Sequence, residues 1–328
     1  MTFPFNLYLA AFASAFVTAL LTLPLWRRWC LHVGLVDDPG HRKIHATTIP
    51  LAGGLAVLTG LLLPLLAATV LLKWNGSQIA NAGLLVYGLD KRALQLAAIA
   101  FGAMGMVVLG LLDDKHELQP LTKFTGQLLI AGVVAYSGVR ITLFVPSVAF
   151  SYAVTILWLL TVINAFNFMD NMNGLCAGLG AIGAGLFALI AAGEGQYLVA
   201  LLAFLTCGAL LGFLPHNFPH ARAFLGDSGS HLIGYLLAVL AILPHFYHRG
   251  QPRPLAVLSP LLVLAVPLAD LAWVVILRTR RGQPFYLGDT NHLSHRLVRA
   301  GLNPAVAVLL IWLVAAVLGA LALAYTAR

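Results

Sequence analysis

From Phe3 to Trp26 the chain carries no charged residue, and runs of that kind recur along its length. At 1.5 Å per residue, about twenty apolar residues cover the ~30 Å hydrocarbon layer of a bilayer. Lipid offers no hydrogen bonds, so each run has to satisfy its backbone internally, as a helix does. Composition agrees: 60% of the 328 residues are hydrophobic and 9% are charged, against about 25% charged in a soluble domain. The expectation is an all-α polytopic membrane protein of about ten transmembrane helices, forming one integral-membrane domain over residues 1–328. The expected spans are Phe3–Trp26, Leu51–Leu72, Ala93–Leu112, one opening near Lys123, one from about Tyr152, Gly174–Gly193, Tyr197–Leu214, one running to about Tyr247, Leu255–Leu277 and Leu302–Tyr325. Pro267 is expected to kink the ninth, and Asp270 within it to be paired inside the bundle or to line a cavity. Lys73–Arg92 reads as an outer loop, and the β-branched, aromatic stretch Ile141–Phe150 as a short outer strand or hairpin.

Charge orients these spans. Arg27 and Arg28 follow the first run at once, which places that end in the cytoplasm and both termini outside. The N-terminal run has no basic region before it and reads as a retained span, not a removed signal peptide. Acids contribute little to such sidedness, yet eight of eleven fall on the inner side: Asp37, Asp38, Asp113, Asp114, Glu117, Asp170, Asp227 and Asp289. A two-sign, His-containing surface built from five inner loops indicates an active site at the cytoplasmic boundary and not a pore. The net charge of +8 therefore reports orientation and attraction to anionic lipid or substrate, and does not imply nucleic acid. Cys30, Cys176 and Cys207 show no paired spacing and suggest neither a disulfide framework nor a zinc site.

The loops carry the chemistry. Phe224-Leu225-Gly226-Asp227-Ser228-Gly229-Ser230 joins one carboxylate to hydroxyls and turn-forming glycines just before an apolar run. Such an oxygen-rich group suits a hard cation such as Mg²⁺; the alternative is that Asp227 caps the next helix. Asp113 and Asp114 close the third span, where acids oppose the helix dipole. Neighbours on a helix do not face the same way, so one acid can face a site while the other orients a neighbour. Lys123 and Gln127 share a face four residues apart, although a lysine at a membrane edge often merely snorkels. Asn164, Asn167 and Asp170, with Asn171, form a polar stripe on the fifth span. The stripe is either a wet wall of a site or an interhelical hydrogen-bond ladder. Asp289, His292 and His295 recur at one-turn spacing beyond the basic stretch Arg278–Arg281, a pattern suited to anion recognition.

Five ordered segments carry a resemblance. Asp37-x-Pro39 with Arg42, Lys43, His45 and Gly53-Gly54; Asp113-Asp114 with Lys123 and Gln127; Asn164-x-x-Asn167-x-x-Asp170; Asn217, Phe224 and Gly226–Ser230; and Asp289 with His292 and His295. With these the chain resembles the polyprenyl-phosphate N-acetylhexosamine-1-phosphate transferases of glycosyltransferase family 4, in their GlcNAc-1-phosphate branch. The resemblance implies transfer of a sugar 1-phosphate from a UDP-N-acetylhexosamine to polyprenyl phosphate, with release of UMP. It implies Mg²⁺, with Mn²⁺ as an alternative, and a bacterial inner membrane, while a homodimer is left open. It makes Asp227 the metal ligand, and Asp113, Asp114, Asp170, His292 and His295 catalytic. It makes Arg42, Lys43, His45, Lys123, Asn164, Asn167, Asn173, Asn217, Phe224, Arg281 and Asp289 substrate-binding, with Asn217 and Phe224 on uracil. Two positions depart from the family pattern: Asn173 stands where a second acid is common, and Ser294 precedes His295 where adjacent histidines are usual. The second departure argues against the peptidoglycan-precursor branch. The competing readings are the same reaction on another UDP-amino sugar, of MurNAc-pentapeptide type, and a non-catalytic lipid-phosphate transporter or scaffold. A scaffold would leave the acids of the five loops more than about 15 Å apart, because Mg²⁺ ligands must converge on one ion.

Overall fold

The computed structural model describes residues 3–38, 48–75, 82–142, 145–244, 254–284, 286 and 289–326. Arg42, Lys43 and His45 lie outside the described residues. Among the described residues the chain is all-α apart from a two-residue antiparallel pair, β1 (Val36–Asp37) with β2 (Ile49–Pro50). The helices, in order, are α1 (Phe5–Val33), α2 (Gly53–Asn75), α3 (Ala82–Lys91), α4 (Ala93–His116), α5 (Pro120–Tyr136), α6 (Val148–Met169), α7 (Leu175–Gly193), α8 (Tyr197–Phe213), α9 (Gly226–Ile242), α10 (Ser259–Val263), α11 (Ala265–Arg280), α12 (Leu293–Arg299) and α13 (Pro304–Thr326).

Seven of these helices are long and apolar enough to cross a membrane, and eight if the bent pair α10–α11 counts as one span. The other two expected spans coincide with α5 and α9, each 17 residues long. At about 25 Å they lie at the short end of the range that crosses a bilayer. α9 is short because it needs no lipid contact. Every residue from Ser228 to Ala241 is buried, and α4, α6, α2 and α7 pack around it. A helix apolar on all sides is the expected solution for such a central position.

Three local expectations change. The outer loop over Lys73–Arg92 contains α3. No strand forms among the described residues of Ile141–Phe150, and Val148 already begins α6, capped by the Ser147 hydroxyl. A β-branched stretch without a pairing partner has no ladder to join. The break in the ninth span comes at Leu264, with a 69° bend between α10 and α11. Pro267 sits in the first turn of α11, where its missing N–H is tolerated, but it leaves the Val263 carbonyl without a helical donor and ends α10 there.

Two close approaches set the site. A Cβ on Gly110 of α4 would fall 2.3 Å from the Ser228 backbone, so this glycine lets α4 lie directly on the start of α9. Gly226 has φ +72°, a left-handed conformation that favours glycine, and turns the chain so that the first amides of α9 face α4. The loop before α2 docks on the same place: Phe224 N–H donates to Pro50 O at 3.0 Å, and Gly53 and Gly54 N–H donate to Phe224 O and Leu225 O at 2.9 and 3.2 Å.

Candidate active site

The site is built where α4 ends, α9 begins, and α5 and α6 pass between them. Asp113 and Asp114 diverge as adjacent helical residues must. Asp114 turns to α9 and accepts the backbone N–H groups of Asp227 at 2.7 Å and Ser228 at 3.1 Å. No side chain of α9's own preceding turn caps it, so Asp114 supplies the cap from another helix. Asp227 is thereby not the cap. Its carboxylate faces the cluster, where it accepts from Lys123 Nζ at 3.1 Å and from the Asn167 amide. Asp113 accepts from the same Lys123 ammonium at 2.6 Å, and its other oxygen holds the Leu118 N–H at 2.9 Å. Lys123 is only 19% exposed; it bridges two carboxylates and does not snorkel.

The stripe of α6 is an interhelical ladder that ends on a carboxylate. Asn164 donates to Gln127 Oε1 at 2.8 Å, and Asn167 donates to Asp227 and to Ser230 Oγ at 3.0 Å. Asp170 closes α6 beside them; burial first, and then the charges of Asp227 and Asp114, push its carboxyl well above the usual range. Asn173 donates to Pro219 O at 3.2 Å. Asn217 is 4% exposed, and both ends of its amide serve backbone groups: it accepts from Gly174 N–H at 2.7 Å and donates to Ala223 O at 2.9 Å. It ties two site loops together. Phe224 is half-buried at the entry to α9.

A second cluster forms around α12. Asp270, paired inside the bundle, accepts the Leu293 N–H at 2.6 Å and lies 2.7 Å from His292 Nδ1. The carboxylate fixes Nδ1 as the donor and leaves Nε2 for a ligand. Arg278, 1% exposed, donates through Nε to Asp289 at 3.0 Å and stacks over Phe168 at 5.0 Å. Burial alone would raise the Asp289 carboxyl, but the bonds from Arg278 and from the Asn291 N–H outweigh it and hold it down at about 2. His295 is pushed below its usual value by burial and by the nearby His292 and Arg299. Phe168 also meets His292 edge-on at 5.7 Å, and Ser294 Oγ donates to Asn171 at 2.6 Å. The end of α6 thus joins the carboxylate cluster to the histidine loop. Arg281, in contrast, is exposed and makes no ion pair among the described residues.

Several residues of this arrangement escape a sequence reading: Asp270 as a partner of His292, Arg278 as the partner of Asp289, Ser294, and His231. The last is fully buried in α9 and meets Gln127 at 3.3 Å. Ligand atoms of Asp113, Asp227 and His231 lie within 4.8 Å of one another. The donor set fits a divalent cation: two carboxylates and an imidazole nitrogen converge on one point, and the carboxylates are at present bridged by Lys123. The acids of α4 and α9 thus meet, which a scaffold does not require, and Asp270, the one residue placed to suggest a transporter, has its partners.

The family model described as glycosyl transferase family 4 matches residues 96–245, from α4 to just past α9. A probable undecaprenyl-phosphate N-acetylglucosaminyl 1-phosphate transferase of Bacillus subtilis is 32% identical over 93% of this chain and 81% of its own length. The chain belongs to glycosyl transferase family 4. A decaprenyl-phosphate N-acetylglucosaminephosphotransferase of Mycobacterium tuberculosis is 33% identical over 94% of the chain and 80% of its own length. The undecaprenyl-phosphate alpha-N-acetylglucosaminyl 1-phosphate transferase of Escherichia coli K12 is 28% identical over 94% and 81%. Within the family these relatives fall in the GlcNAc-1-phosphate branch, and both clusters of the site lie in the part of the chain they cover.

Proposed function

We propose that the chain transfers N-acetylglucosamine 1-phosphate from its UDP derivative to a polyprenyl phosphate, releasing UMP, at the cytoplasmic face of a bacterial inner membrane. The observation that supports it most is the convergence of Asp113, Asp227 and Lys123 at one end of a membrane bundle whose relatives carry that activity in their names. One substrate is a lipid and the other is soluble, so their phosphates can meet only at the membrane boundary.

Asp227 is the residue that would hold Mg²⁺, which would supply positive charge to the donor diphosphate as UMP departs. Lys123 holds the two carboxylates together and offers its ammonium to an incoming phosphate. Asp113 orients the lipid phosphate, or takes its proton, as a phosphate oxygen bonds to the sugar-bearing phosphorus and the bond to UMP breaks. His292, held through Nδ1 by Asp270, presents Nε2 to the diphosphate, and Arg278 anchors the same loop through Asp289.

The test is UMP release by purified protein given undecaprenyl phosphate and a panel of UDP-sugars, with Mg²⁺ or Mn²⁺ added back after chelation. UDP-GlcNAc alone is expected to support turnover, and only with metal. Turnover on UDP-MurNAc-pentapeptide in its place would move the chain to another branch, and none on any sugar would sink the reading. Orientation is read separately. The native cysteines are all buried, so a cysteine introduced at Gln196 should label from outside intact cells and one at Arg281 should not; the reverse would invert the topology.

A further inference from the structure

The end of the bundle opposite the carboxylates holds a cavity of about 780 Å³, within the ~300–1,000 Å³ range of small-ligand sites. Its position follows from the helices. Arg92 precedes the first residue of α4, whereas Asp113 and Asp114 end that helix, about 30 Å along it at 1.5 Å per residue. The last turn of α9 lines the cavity, whereas Asp227 starts that helix.

Two half-buried arginines, Arg92 and Arg140, line it together with Gln95. Neither is ion-paired to a carboxylate among the described residues. Arg92 reaches Gln95 Oε1 at 3.5 Å, and Arg140 lies over the Tyr152 ring at 5.1 Å; neither contact supplies negative charge. Two like charges bordering one partly dehydrated cavity repel each other until an anion joins them. In the orientation proposed above, they also stand at the end where the positive-inside rule does not call for them. The opposite wall is apolar. Leu157 of α6 is 66% exposed, and Leu258 and Leu261 are each 46% exposed, so the cavity opens on a surface that faces hydrocarbon. An occupant that satisfies both walls has an anionic head and a hydrocarbon tail. Paired guanidiniums match phosphate oxygens best, through parallel N–H bonds.

We propose that this cavity binds a membrane lipid through its phosphate, in the leaflet opposite the acidic cluster. The site is separate from the transferase centre and stands whether or not the transfer reading holds.

Native mass spectrometry of the detergent-purified protein tests it, with phosphatidylglycerol, undecaprenyl phosphate, phosphatidylcholine and inorganic phosphate offered in turn. The expected result is one retained anionic lipid, either phosphatidylglycerol or undecaprenyl phosphate, whose affinity falls about tenfold or more in the Arg92→Gln/Arg140→Gln double variant. Which of the two is retained identifies its source. UMP release by that variant should stay within about twofold of the parent, since neither arginine belongs to the carboxylate or histidine cluster. If the double variant is not monodisperse, Leu261→Trp, which fills the half-exposed apolar wall, should cause the same loss. Equal retention of phosphatidylcholine, retention unchanged in both variants, or displacement of the lipid by millimolar inorganic phosphate would overturn the proposal.

Discussion

α9 and α12 both begin at the site end of the bundle without a side-chain cap of their own, and each takes an acid from another helix. The two acids are used differently. Asp114 spends both oxygens on backbone N–H groups of α9, so it positions Asp227 through the main chain and leaves that carboxylate free for Lys123 and Asn167. Asp270 divides its oxygens between the Leu293 N–H and the His292 ring, and so holds the functional side chain itself. The first device fixes the start of the helix without engaging the Asp227 carboxylate, which keeps its oxygens for Lys123 and Asn167 and, in the proposed function, for a cation. The second suits a residue whose protonated nitrogen must be chosen, because a carboxylate on Nδ1 makes that choice.

The comparison can be broken in four places, taken from the largest expected effect. Asp227→Asn keeps the shape but removes the charge a hard cation needs. UMP release should fall by about 10²-fold or more while the protein stays folded in detergent; near-normal turnover at saturating Mg²⁺ would return Asp227 to a structural role. Next come the two borrowed acids. Asp270→Asn retains an oxygen for Leu293 but sets an amide against Nδ1–H, so kcat should drop about 10- to 100-fold with little change in Tm. Asp114→Asn loses a charged cap at the helix N-terminus, which costs about 1–2 kcal/mol and should lower Tm more clearly than Asp270→Asn does. If the two Tm shifts come out in the opposite order, the distinction between main-chain and side-chain positioning is wrong.

Arg278→Gln should raise KM for the UDP-sugar by about tenfold, the equivalent of ~1.4 kcal/mol, whereas Arg281→Gln should stay within about twofold. A larger effect at Arg281 would restore the assignment made on sequence alone. The smallest effect is in acid. The Asp289 carboxyl is depressed in the folded protein, so its hold on Arg278 is complete above the ordinary carboxylate value of about 4 and is lost as pH falls through about 2. A carboxyl ¹³C titration of Asp289 reads this directly, and a midpoint near 4 would mean that the pair does not form in solution.

Much of this arrangement is legible in the sequence, and the parts that are not have definite causes. Apolar runs locate the helices because lipid leaves the backbone no alternative, but run length does not separate a lipid-facing helix from the short, wholly enclosed α9. The divergence of Asp113 and Asp114 follows from their being neighbours on a helix, whichever partners they find. Arg278 and Arg281 look interchangeable in a basic stretch. Where α11 stops separates their surroundings, since Arg281 lies one residue past its end and Arg278 is buried on it. Asp270 reads as an isolated acid until α12 is brought against it. His231 had a signal that a closer reading would use: it follows Asp227 by four residues, hence on the same helical face, inside a run that is otherwise apolar.

The borrowed cap of α9 has a bearing on how the protein is made. Asp227 lies 113 residues after Asp114 and 104 after Lys123, so a ribosome delivers α4, α5 and α6 to the membrane well before α9. During that interval Asp113 and Lys123 can already neutralise each other, but Asp114 has no amides to receive. The arrival of α9 supplies them, and the same event inserts Asp227 next to Lys123 and Asn167. Insertion of the central helix and completion of the charged centre are therefore one step of biogenesis.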